Sequence, residues 1–141
     1  MAELNARYVI AVAEQLSFVS AFLGGVSATI LVTIVVFSGP KKSVSWMVAA
    51  SALAACSLLI AVVASWRLVI LFHPESPVAF DPALIIVLYR IMLLGYGLGF
   101  LSLLACIGLS GWIRSRKSGL ITTAMALISM LFFVLATPFG L

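Results

Sequence analysis

Apolar positions dominate four long stretches of the chain, and polar positions gather in the short segments between them. The stretches are Leu16 to Phe37, Val44 to Trp66, Ile91 to Ile113 and Gly119 to Phe139. About 20 consecutive apolar residues suffice for a helix to cross the hydrocarbon of a bilayer, and each stretch reaches that length. Inside lipid no water satisfies backbone N–H and C=O groups, so each stretch is expected to be helical. The first helix is expected to begin before its apolar run, near Asn5. The second extends to Phe72 and the third reaches back to Ala83, so both are longer than one crossing requires. The reading is an all-α fold: one integral membrane four-helix transmembrane bundle over residues 1–141. It shows no internal repeat of 20 to 50 residues, no heptad series and no low-complexity stretch.

The connections set an orientation. Ser38-Gly39-Pro40-Lys41-Lys42 joins the first two helices, with Gly-Pro as the helix breaker. Arg114-Ser115-Arg116-Lys117-Ser118 joins the last two. These two loops hold five of the eight Lys and Arg residues and lie on one side of the membrane. The other side holds Arg7, Arg67 and Arg90 with all four acids, Glu3, Glu14, Glu75 and Asp81. The positive-inside rule places loops 38–43 and 114–118 in the cytoplasm, with both termini and the proline-rich middle loop, His73 to Pro82, outside. The membrane expected is a plasma or bacterial inner membrane. Met1 to Arg7 lacks the basic start, short apolar region and small-residue cleavage site of a secretory signal, so the first span is expected to stay.

Composition agrees with burial in lipid. The chain is 65% hydrophobic and only 9% charged, with a mean hydropathy of +1.32. A soluble domain carries about 25% charged residues to face water. The net charge of +4 does not point to nucleic acid, because the basic residues sit at the ends of apolar runs. Cys56 and Cys106 lie inside such runs and read as small hydrophobes. With no CxxC and no Cys/His cluster, no redox site, metal site or cofactor is expected. His73 with Glu75 supplies two ligands where zinc normally takes three or four. Trp46, Trp66 and Trp112 stand at helix ends and read as interfacial anchors.

The hydrocarbon-spanning parts hold no Asp, Glu, Lys, Arg or His, which argues against proton relays, ion-coupled transport and catalysis at depth. Small residues carry the clearest pattern. On the first helix Ser17, Ala21, Gly24 or Gly25, and Ala28 recur at spacings of three or four, with Glu14 one turn further out. The second helix has Ala50, Ala54, Ser57, Ala61 and Ser65. The third has a GxxxG, Gly95 to Gly99, followed by Ser102. Such faces let backbones approach where no hydrophobic force acts between helices. Helix-packing roles are therefore expected for Gly25, Ala50, Ala54, Ser57, Ala61, Gly95 and Gly99. Arg67, Arg90, Glu75 and Asp81 are expected at the outer interface. Glu14, Ser17, Ala21, Gly24 and Ala28 are the pore-lining candidates, since copies of the first helix around an axis would set Glu14 as an acidic ring at the outer mouth.

The leading functional reading is an oligomeric channel or pore-type protein with the first helix at the axis. The alternatives are a non-catalytic accessory or assembly subunit of a larger membrane complex, and a membrane enzyme with a site at the outer loop near Arg67 and Arg90. The expected partners are the lipid bilayer and either further copies of the chain or another membrane protein, without nucleic acid.

Overall fold

Every apolar run folds as one unbroken α-helix in the computed structural model, which describes residues 2–37, 39, 42–73 and 82–136. The helices are α1 (Ala2–Phe37), α2 (Lys42–Leu71), α3 (Pro82–Arg114) and α4 (Arg116–Ala136). At about 1.5 Å per residue they are about 54, 45, 50 and 31 Å long. Each contains a window long and apolar enough to cross a membrane, so the chain is a multi-pass integral membrane protein. Only α4 is close to the length of a single crossing; the other three continue beyond one face.

Among the described residues two boundaries differ from the sequence expectation by three residues, the others by less. The first helix starts at Ala2, earlier than the neighbourhood of Asn5. The five-residue connection expected at 114–118 is a single residue, Ser115. Its hydroxyl accepts a hydrogen bond from the Ser118 N–H at 3.1 Å, an N-cap that starts α4 at once and draws Arg116 and Lys117 into its first turn. Gly39 is the described residue of the first connection, and Glu75 and Asp81 lie outside the described residues.

The helices pack in chain order. α1 lies on α2, α2 on α3 and α3 on α4; α1 only grazes α3, and among the described residues α4 touches neither α1 nor α2. The bundle is thus an open row with α2 and α3 in the middle. In the most apolar window of each helix, 44% of residues are buried on α2 but only 6% on α4, whose remaining faces must meet lipid.

Buried positions recur every seven residues, a series that hydrophobicity alone did not reveal. On α1 they are Ala13, Ser20, Ser27 and Ile34, with Gly24 between. On α2 two registers run in parallel: Val44, Ser51, Leu58 and Ser65, and Met47, Ala54, Ala61 and Leu68. On α3 Met92, Gly99 and Cys106 continue it. A seven-residue repeat is the spacing of left-handed packing at a shallow crossing angle. It escapes a hydrophobicity pattern because the lipid-facing positions are as apolar as the buried ones. What separates the two sets is size and polarity: six of the buried residues are serines.

The extensions of α2 and α3 cover each other. Ala64, Leu68 and Met92 form an apolar cluster into which α1 inserts Ala13, with Leu16, Phe72, Leu88 and Tyr89 packed around it. A second cluster, Ile34, Val44, Met47 and Cys106, closes the opposite end.

Candidate functional site

A close contact between α2 and α3 is built on the GxxxG of α3. A Cβ at Gly95 would lie 2.9 Å from the Ser57 carbonyl oxygen and 3.2 Å from the Ala61 nitrogen. One at Gly99 would lie 2.6 Å from Leu58 Cγ. Only glycine allows this approach of α3 to α2. Ala54, Ser57 and Ala61 are buried in the same seam, and Ala50 is half-buried at its edge.

A second tight contact, between α3 and α4, was missed in the sequence. It rests on Gly108, Gly111 and Gly119. A Cβ at Gly111 would collide with Thr122 Oγ1 and with the Ser118 carbonyl, and one at Gly119 would lie 2.6 Å from the Trp112 ring. The Trp112 Nε1–H donates to Thr123 Oγ1 at 3.1 Å, and the Thr122 hydroxyl donates to the Gly108 carbonyl at 3.0 Å. Trp112, expected from the sequence to be an interfacial anchor, is therefore a packing residue of the α3–α4 contact. The signal was present as small residues at 108, 111 and 119, the rule already applied to the other helices. Further out, Phe100 and Phe133 stack with centroids 4.4 Å apart, and Tyr96 adjoins both.

The stripe expected along α1 divides between two faces. Gly24 is buried, and a Cβ there would meet Leu58 Cβ at 3.5 Å; Ser17 is half-buried. Glu14, Ala21, Gly25 and Ala28 are exposed, and a Cβ at Gly25 would meet nothing within 4 Å. Gly24 thus serves packing within the chain, and Gly25, expected to pack, stands on the open side. A shallow groove of about 450 Å³ runs there between Ala21, Gly25 and Thr29, flanked by Phe22 and Val26. Thr29 and Thr33 donate to the carbonyls of Gly25 and Thr29 at 2.9 and 2.8 Å, so this face shows no unsatisfied hydroxyl donor.

Three of the six buried serines, Ser27, Ser51 and Ser65, satisfy themselves in the same way. Ser27 donates to the Leu23 carbonyl at 2.8 Å and Ser65 to the Ala61 carbonyl at 2.7 Å. Ser20 has its Oγ fully enclosed and unbonded among the described residues. Cys106 lies in the core with Sγ 3.8 Å from the Met47 carbonyl oxygen, and Cys56 is exposed; both are free thiols.

The charged groups share one level. At about 1.5 Å per residue, Glu14, Arg67 and Arg90 stand about 35, 38 and 36 Å along their helices from Phe37, Lys42 and Arg114. The hydrocarbon of a bilayer is about 30 Å thick, so a bilayer whose edge lay at those helix ends would leave all three beyond the hydrocarbon on the opposite side. All three are exposed. Arg67 lies on the open α2–α3 face between two clefts. One, of about 490 Å³, is lined by Val63, Trp66, Ile70, Leu71 and Leu84; the other, of about 460 Å³, by Leu59, Ile60, Val63, Leu88 and Ile91. Arg67 lines both and is the one ionisable group in either lining. No group of three or more His, Cys, Asp or Glu residues able to hold a metal occurs among the described residues.

Fold and surface together define a multi-pass membrane protein of four helices in an open row, its buried polar residues all serines among those described. Comparison of the chain with family models, with curated proteins and with solved structures finds no match.

Proposed function

We propose that the protein acts as an oligomer of channel or pore type, assembled through the outer face of α1 so that this helix lies nearest the axis. The observation that carries the reading is the open small-residue face of Ala21, Gly25 and Ala28, with Glu14 exposed at its outer end. Small residues in lipid mark where another helix can come close. The corresponding surface of α4 bears Leu120, Ile121, Met125, Leu131 and Phe132, bulky side chains suited to acyl chains. Closed rings of identical subunits are the usual way such a face is satisfied. Glu14 would then recur around the outer mouth, where acidic rings favour cations. Charge bias supports an orientation with the basic connections in the cytoplasm.

A second reading is a non-conducting subunit that docks the same face on a different membrane protein. It draws support from the packed α1–α2–α3 seam, which leaves no charged group at depth among the described residues.

Gly25→Leu separates them. Its side chain would enter open space in the single chain, so folding is unaffected while association through α1 is blocked. The expected result is a multimer in nanodiscs that falls to a monomer on Gly25→Leu, and cation flux into liposomes reduced by Glu14→Gln. A wild-type monomer by native mass spectrometry, without flux, refutes the pore reading.

A further inference from the structure

The two clefts beside Arg67 are two halves of one groove, because Val63 and Arg67 line both. From Leu59 to Ile70 the groove follows α2 for about 16 Å of helix rise. Its walls are α2 on one side and Leu84, Leu88 and Ile91 of α3 on the other. Inward of Trp66 the lining is aliphatic and reaches hydrocarbon depth at Ile60 and Leu59, where an acyl chain is the available occupant.

Arg67 supplies the polar end. It is exposed on the α2–α3 surface, and it forms no ion pair or hydrogen bond with any described residue. Glu14, at the same level, is unpaired likewise. A guanidinium stays charged at every physiological pH and matches the oxygens of a phosphate with two parallel N–H donors. At the headgroup level the phosphate of a lipid is the abundant acceptor. Trp66 lines the same cleft, and its amphipathic ring suits the boundary between phosphate and chain. We infer that the α2–α3 groove is a binding site for one anionic phospholipid per chain, in the leaflet opposite the basic connections. Arg67 holds the phosphate, and an acyl chain lies along Val63, Ile60 and Leu59. Net negative charge on the lipid favours it over a zwitterionic one, since no carboxylate among the described residues compensates Arg67.

The test is native mass spectrometry of delipidated protein titrated with phosphatidylglycerol and, separately, phosphatidylcholine. The wild type is expected to retain one phosphatidylglycerol per chain and to bind phosphatidylcholine more weakly. Arg67→Gln should weaken phosphatidylglycerol binding about tenfold or more, the scale of a lost charge-assisted pair. Arg67→Lys should weaken it less, and Arg90→Gln should not alter it. Val63→Trp keeps the charge but fills the groove, and it should abolish retention of the lipid. Both positions are exposed and lack polar partners, so the variants should fold as the wild type does. The site is overturned by equal retention in Arg67→Gln and wild type, or by equal affinity for the two lipids. Binding that survives Val63→Trp overturns it as well.

Discussion

Gly95→Ala tests the contact on which the middle of the row depends. The added methyl carbon would stand 2.9 Å from the Ser57 carbonyl oxygen, 3.2 Å from the Ala61 nitrogen and 3.3 Å from Ala61 Cβ. Two of these three atoms belong to the α2 backbone, so no rotamer change relieves them. Ordinary contact begins near 3.4 Å, and α3 must therefore retreat by about half an ångström. Such a gap forfeits about a quarter of the dispersion energy of each neighbouring pair. Inserting a methyl into a packed seam costs about 1–3 kcal/mol. Alanine's higher helix propensity offsets little, because in a bilayer the separated helices remain helical. The expected loss is therefore about 1–3 kcal/mol, read by steric trapping in bicelles. Spin labels on α2 and α3 should report a wider spacing. Gly25→Ala is the control, since its methyl meets nothing within 4 Å, and should stay within about 0.5 kcal/mol of the wild type. Adding Ala61→Gly to Gly95→Ala removes one of the three clashes and should restore part of the loss. If Gly95→Ala is as stable as Gly25→Ala, α2 and α3 do not meet at this glycine and the packing argument fails.

Two further outcomes follow from named atoms. Ser20→Ala removes a buried hydroxyl that has no partner among the described residues, so stability should rise by about 0.5–1 kcal/mol, whereas Ser65→Ala, which loses a bond to its own helix, should change little; a loss above about 1 kcal/mol in Ser20→Ala would mean that the hydroxyl is satisfied after all. With Cys56→Ala and Cys106→Ala as background, Gly39→Cys and Ser115→Cys should both react with an impermeant maleimide only after cells are opened. Reaction of one in intact cells and not the other would refute the even number of crossings between them.

The number and place of the helices were legible because a run of about 20 uncharged residues has few other fates. Which side of each helix turns inward was less so. In water the buried face announces itself by being apolar; in lipid both faces are apolar, and Leu58 in the core cannot be told by type from Leu59, which is exposed. Size is the surviving signal, and it works where a glycine is forced, as at Gly95. It falters where two stand together: Gly24 and Gly25 look alike until Ser20, four residues before, and Ser27, three residues after, place Gly24 on the packed face and leave Gly25 off it. The α3–α4 hairpin stayed hidden for a different reason. Its polar connection reads as a loop, and only Ser115 as an N-cap turns it into a tight corner.

The packed faces also separate what the fold uses from what it leaves over. α2 turns small residues toward both neighbours, and Gly95 and Gly99 of α3 are committed to α2. Gly108 and Gly111 of α3 are committed to α4. On α1 the inward set, Gly24 with Ser20 and Ser27, meets the needs of the contact with α2. Ala21, Gly25 and Ala28 contribute nothing to it, and they stand where leucine or phenylalanine would suit lipid as well as they do on α4. A small residue facing lipid gives up dispersion contacts that a larger one would make. Repeated at Ala21, Gly25 and Ala28 along one face, that loss is recovered only when another helix lies against the face. That surplus of small residues, rather than any single side chain, is what favours assembly through α1.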